Sequence, residues 1–381
     1  MKKRMAWLLM AFLVIGLLSG CAPAAPAAPA EPAEKPATEA KEAKTIKASD
    51  LTVGFIYVGP IGDGGWSFAH NAGRLYLEKE LGVKTLYKES VPESQDVEKV
   101  AASMIDQGAK VIFATSFGYM DYVEKLSKKY PDVIFLHCSG YKSGKNMNNY
   151  FGRMEEPRFL SGLVAGMKTQ SNKLGYVAAY ELPEVVRGIN AFTLGVQAVN
   201  PKATVEVVWT HTWYDPAKEK EAAIALLDHG CDVIAQHQDT AGPQQAAEER
   251  GKWSVGYDTD MRDKAPKAYL TAPVWNWGPY YVDQVKKVLA GTWTSENYWG
   301  GMKDGIVELA PLTANAPKDA QAKVDEYKAK IMDGSLKVFQ GPIYDQTGTL
   351  KVKQGETVSD ADQLKMDWFV KGVIGKIETK K

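Results

Sequence analysis

Apolar, β-branched runs alternate with helix-period segments through most of this chain, and that alternation leaves few folds open. LTVGFIYV (51–58), KVIFATS (110–116), DVIFLHC (132–138), KLGYVAAY (173–180), TVEVVWT (204–210), CDVIAQH (231–237) and WSVGYD (253–258) read as strands. Between them, SQDVEKVAASMIDQG (94–108) and PAKEKEAAIALLDHG (216–230) carry apolar residues at helical spacing. Strand, helix, strand at this spacing predicts an α/β protein of doubly wound parallel sheets covered by helices, since parallel strands need long crossovers.

The pattern also repeats. AASMIDQGAKVIFA (101–114) and AAIALLDHGCDVIA (222–235) share a helix ending Asp-x-Gly-x-x-Val-Ile that leads into a strand. Each is followed by another helix and another strand, DVIFLHC in one half and WSVGYD in the other. We read two like-folded lobes whose strands end on a common cleft, where open α/β sheets place their ligands.

The residues at those strand exits are unusual for surface loops. IGDGGWSFAHNAGR (61–74) sets Asp63 and Trp66 in a glycine-loosened turn after the first strand. Phe117 follows KVIFATS, Trp213 follows TVEVVWT, Asp239 follows CDVIAQH, Asp258 ends WSVGYD, and Trp275 and Asn276 follow AYLTAPV. Exposed large aromatics are costly unless something covers them. Aromatics with carboxylates at one end of two sheets describe a pocket for a flat, partly polar ring.

The N-terminus points outside the cytoplasm. Lys2, Lys3 and Arg4 precede an apolar run at 5–18, too short for a confident membrane span. The run ends in LSGC (18–21), similar to a bacterial lipobox, which makes Cys21 the expected lipidated first residue of the mature chain. The Pro/Ala/Glu/Lys stretch that follows reads as a tether. Over the whole chain Lys plus Arg and Asp plus Glu number 46 each, so the charge footprint of a nucleic-acid binder is missing. Cys138 and Cys231 border apolar runs and read as small buried residues rather than a disulfide. No histidine pair or cysteine cluster has metal-ligand spacing, and no nucleophile elbow, phosphate loop or dinucleotide fingerprint is present. No metal, cofactor or catalytic set is expected. YDTDM (257–261) supplies only two carboxylates to a hydrolase reading that needs several around a metal.

Four stretches, LPEVVRGINAFTLGVQAVNP, VVWTHTWYDPAKEKEAA, QAAEERGKWSVGYDTDM and VWNWGPYY, resemble in order and spacing the basic membrane protein family of substrate-binding lipoproteins. That family serves ABC importers and is known for purine and purine-nucleoside ligands. The resemblance implies a type I periplasmic-binding fold, two α/β lobes with a hinge crossed three times. It also implies an ABC permease partner and a lipid-anchored, extracytoplasmic location. Residue by residue, Asp63 matches an Asp of the first loop, Trp66 and Trp213 match aromatics, and Asp258 matches the Asp that holds ribose hydroxyls in nucleoside-binding members. Trp275 stands where those members carry a sugar-facing Lys, so a free base such as adenine or hypoxanthine fits at least as well as a nucleoside.

The expected site is therefore Trp66 and Trp213 stacking on a purine from opposite lobes, with Phe117 beside them. An ionised Asp239 accepts from the purine edge and Asn276 offers both donor and acceptor. Asp63, Asp258 and Trp275 complete the set. Expected boundaries are a leader at 1–20, lipidated Cys and tether at 21–48, a first lobe at 49–170 with part of 275–330, and a second lobe at 171–272. A hinge return and C-terminal segment packing on both lobes fills 273–381. The protein is expected to be a monomer; a tethered ligand sensor or a nucleoside hydrolase are the readings from other classes.

Overall fold

The structure is a computed structural model that describes residues 45–378; the leader, Cys21 and most of the tether lie outside the described residues. The first sheet is built from β1 (Thr52–Ile56), β2 (Lys84–Lys88), β3 (Ala109–Ala114), β4 (Ile134–Cys138) and β5 (Met147–Gly152). Helices α1 (Trp66–Leu81), α2 (Asp96–Asp106) and α3 (Met120–Lys129) connect them. The chain then passes through α4 (Glu155–Lys168) into a second unit of β6 (Lys173–Ala178), α5 (Pro183–Val199), β7 (Thr204–Trp209) and α6 (Pro216–Asp228). That unit continues with β8 (Val233–His237), α7 (Gly242–Glu249), β9 (Trp253–Val255) and β10 (Tyr269–Thr271). The remainder supplies β11 (Pro273–Trp275), α8 (Trp277–Leu289), β12 (Tyr298–Gly300), β13 (Val307–Leu309) and α9 (Ala320–Met332). It ends with β14 (Ile343–Tyr344), β15 (Leu350–Val352), α10 (Asp360–Gln363) and β16 (Val373–Ile374).

Both main sheets are parallel and have matching strand order. The first runs β12-β5-β4-β3-β1-β2 and the second β10-β9-β8-β6-β7-β16. β1 is buried along its whole length between β2 and β3, with Gly54 opposite Leu86 on one side and Ile112 on the other. The repeated Asp-x-Gly has a local cause. Gly108 and Gly230 adopt φ of 95° and 89°, the left-handed region that ends α2 and α6 and that side-chain-bearing residues avoid.

The chain passes between the lobes three times: after β5, between β10 and α8, and after β12. The first passage falls earlier than residue 170, because α4 packs on α5 of the second lobe and not on the first sheet. α8 returns to pack on α1, and α9 lies against α4. The last third also adds an edge strand to each sheet, with Tyr298 of β12 opposite Tyr150 and Val373 of β16 opposite Val205. Two-stranded β11–β13 lies at the crossing. Cys138 and Cys231 are buried and free.

Candidate ligand-binding site

The strands of the two sheets end facing one another, and the loops beyond them line a narrow shared cavity. The first lobe contributes Val58 after β1, Trp66 at the start of α1, and Ser116 and Phe117 after β3. Ser139 after β4 and Phe151 of β5 complete that wall. The second lobe contributes Glu184 at the start of α5, Trp213 after β7, His237 and Asp239 at the end of β8, and Tyr257 after β9.

Trp66 is held by its own turn. The Asp63 carboxylate accepts from the backbone N–H groups of Gly65, Ser67 and Phe68, each at 2.9 Å, satisfying donors that α1 leaves without helical partners. Burial outweighs those bonds and pushes the Asp63 carboxyl up to about 6. The Trp66 indole Nε1 donates to the Thr115 carbonyl at 2.7 Å. Its ring meets His70 at 4.3 Å and Trp275 and Trp277 at 5.7 Å, all edge-on. His70 and Trp277 continue into the buried aromatic core around Tyr281, Phe113 and Phe55. The first-lobe wall is therefore rigid packing carried up to the cavity.

Trp213 is held across the cleft. Its Nε1 donates to Glu93 Oε2 at 3.3 Å, while Glu93 Oε1 accepts from Ser116 Oγ at 2.5 Å and the Gly118 N–H at 2.8 Å. Two more bonds join the lobes: the Thr259 hydroxyl donates to the Gly64 carbonyl, and the Ser139 hydroxyl to Glu184. Gly65 lies so close to the Asp239 backbone that a Cβ there would overlap the Asp239 carbonyl. The lobes are closed on each other.

On the second-lobe wall, burial favours the neutral form of each titratable group. Burial, then the neighbouring carboxyls Asp258, Asp63 and Glu219, push Asp239 well above the ordinary carboxylate range, and its Oδ2 has no partner among the described residues. A neutral Asp239 donates as well as accepts, whereas the sequence argument used an ionised one. Burial likewise pushes Glu184 up to about 7 and His237 well below its usual value.

Of the eight expected ligand residues, the structure brings Trp66, Phe117, Trp213 and Asp239 together on the cavity. Asp63 is the turn residue beneath Trp66. Asp258 is fully buried in a left-handed turn (φ 66°), with Oδ1 accepting from Trp275 Nε1 at 3.0 Å. Trp275 stacks on Trp277 at 4.5 Å. Asn276 donates to the Gly305 carbonyl at 3.0 Å, and with Trp275 it borders a separate outer groove. Sequence reasoning missed Glu184, His237, Tyr257 and Phe151. The first three stand at strand exits, so the rule that selected Trp213 and Asp239 reaches them too. Phe151 ends a strand whose Asn148 and Asn149 conceal it.

The family model described as "ABC transporter substrate-binding protein PnrA-like" matches residues 51–339. A purine-binding protein of Brucella abortus (strain 2308) is 45% identical over 329 residues, spanning 86% of this chain and 94% of its own. A Haloferax volcanii protein named as an ABC transporter glucose-binding protein is 37% identical over 332 residues, 87% of this chain and 82% of its own. Among solved structures, an ABC transporter solute-binding protein from Aeropyrum pernix K1 superposes with a TM-score of 0.67 at 21% identity, covering 75% of this chain and 92% of that one. At that identity the superposition speaks for the two-lobed fold alone. The family match and the Brucella relative speak for the role: the chain belongs to the PnrA-like family of ABC transporter substrate-binding proteins, which meet their ligands outside the cytoplasm.

Proposed function

We propose that this protein captures a purine for an ABC importer, and that it takes the free base in preference to the nucleoside. The observation that carries the second half is the bond between Trp275 and Asp258. In nucleoside-binding members the resemblance assigns the matching Asp to ribose hydroxyls. Here one of its oxygens accepts from an indole that stands in the place of the sugar-facing cation. A buried sugar hydroxyl without a partner costs about 1–3 kcal/mol.

The cavity supports the base reading. Its aromatic walls suit stacking, which is worth roughly 1–3 kcal/mol per base. Asp239, Glu184 and His237 offer donors and acceptors to a ring edge. A glucose ligand, suggested by the name of the Haloferax relative, would need hydrogen-bond partners around its whole rim. The rings of Trp66, Phe117, Phe151 and Trp213 leave only part of the wall to such partners. We also place the mature protein on the membrane through Cys21, as a monomer that hands its ligand unchanged to a permease.

Calorimetry with adenine, hypoxanthine, guanine, adenosine, guanosine and glucose tests the proposal, with the recovered ligand checked for turnover. A base is expected to bind tightest and return intact. A nucleoside binding ten-fold tighter than its base means about 1.4 kcal/mol of net sugar contact and refutes the base preference. Heat with glucose alone refutes the purine reading.

A further inference from the structure

Behind the second-lobe wall lies a polar cluster that no cavity contact uses. Arg158 of α4 is fully buried. Its Nη1 donates to the Gln236 carbonyl at 2.5 Å, and its guanidinium carbon sits 3.7 Å from the centre of the Tyr257 ring. Its Nε and Nη2, the Tyr176 hydroxyl and His237 Nδ1 have no hydrogen-bond partner among the described residues. Three of these atoms face the same side of Gly188 in α5. A Cβ on Gly188 of α5 would lie 3.6 Å from each of Arg158 Nε, Tyr176 Oη and His237 Nδ1.

We propose that the space between these three atoms, just beyond Gly188, binds one ordered water bridging Arg158, Tyr176 and His237, and that the bridge fixes His237 as a neutral imidazole protonated on Nε2. A buried water characteristically joins two to four otherwise unsatisfied polar groups, and leaving such groups unpaired is costly. The water accepts from Arg158 Nε–H and donates to His237 Nδ1, with the Tyr176 hydroxyl as its third partner. The fixed Arg158 charge favours a lone pair, not a proton, on the His237 nitrogen that faces the cluster, and burial with the Arg158 and Arg187 charges opposes an imidazolium. The Nε2–H then faces the Tyr257 hydroxyl, 3.4 Å away, and both residues line the cavity. His237 is thereby a specificity-determining donor, and this wall selects a ligand that presents an acceptor atom, such as a ring nitrogen. That last step rests on the purine reading; the tautomer does not.

The test separates the two. In ¹⁵N-histidine NMR of the ligand-free protein, the His237 signals, assigned by their loss in His237→Gln, should show the Nε2–H tautomer at pH 5 and pH 7. In Gly188→Ala the methyl fits at ordinary contact distance, and alanine favours a helix over glycine, so filling space alone would raise Tm. Displacing the water should instead lower Tm and scramble the tautomer. Tyr176→Phe, which keeps the shape and removes one arm, should do so in part. An Nδ1–H or imidazolium form in the wild type overturns the proposal, as does a raised Tm with an unchanged tautomer in Gly188→Ala. A chloride-dependent Tm that Gly188→Ala abolishes overturns it in favour of a bound halide. Adenine affinity should fall at least ten-fold in His237→Asn, and His237→Gln, whose amide reaches the Nε2 position, should recover part of that loss. No heat with adenine, hypoxanthine or guanine in the wild type, with the tautomer as stated, sinks the purine reading alone.

Discussion

Gly65→Ala tests closure without reference to which ligand is bound. A Cβ at Gly65 would lie 2.8 Å from the Asp239 carbonyl carbon and 2.9 Å from its Cα, where ordinary contacts begin near 3.4 Å. The obstacle is backbone from the other lobe, so no rotamer relieves it, and the lobes must part by roughly 1 Å at that point. Thr259 to Gly64 is one residue away and is lost first. The Trp213–Glu93 bond, already at 3.3 Å, stretches beyond useful geometry. At about 1 kcal/mol net for each bond, closure loses about 2 kcal/mol, and a loosened stacking face adds about 1 kcal/mol more. Ligand affinity should therefore fall roughly 30- to 150-fold. Calorimetry gives the affinity and small-angle scattering the closure. Gly62→Ala is the control, because a Cβ there meets nothing within 4 Å. The ligand-free Tm should barely move in either variant. If Gly65→Ala binds within three-fold of wild type and closes as fully, the interlobe contact is not the limit on closure and the reasoning fails.

Trp275→Phe keeps the stacking and removes the donor to Asp258 Oδ1, leaving both oxygens of a buried carboxyl unpartnered. Urea unfolding should show a loss of about 1–3 kcal/mol, and an unchanged midpoint would mean that solvent replaces the indole. Glu219 is buried against Thr240 and the Asp215 N–H, and burial pushes its carboxyl up to about 7 from an ordinary 4.5. The folded state thus holds that proton more tightly. Its stabilisation is complete below about pH 4.5 and is lost as pH rises through 7, at up to about 1.4 kcal/mol per pH unit between. Wild type should lose more stability than Glu219→Gln between pH 5 and pH 8, and parallel losses would remove Glu219 as a source. Cys21→Ser should shift the protein out of the membrane fraction with ligand binding intact; fractionation like wild type would rule out the lipid anchor.

The sequence determined the alternation of strands and helices, because a parallel strand buried on both faces must be an unbroken apolar run. All seven quoted runs form strands of the two main sheets. β5 escaped, since Asn148 and Asn149 are polar yet buried and bonded, Asn149 to the carbonyls of His137 and Ser139. β2 escaped as a half-exposed edge, and β12 and β16 as runs of three and two residues that mean nothing until a distant sheet edge accepts them. The same division runs through the site. That side chains at strand exits line the cavity follows from local topology, which is why Trp66, Phe117, Trp213 and Asp239 were legible as a group. Which exit residue faces the cleft was decided by tertiary structure alone. Asp258 turns inward through a left-handed residue to meet an indole seventeen positions on, while Glu184 and His237 are brought to the cavity by the other lobe's approach. Local sequence sets the period of an element. The direction in which a loop side chain points is set by the surfaces it meets in the folded protein, and across the cleft those belong to residues 45 to 195 positions away.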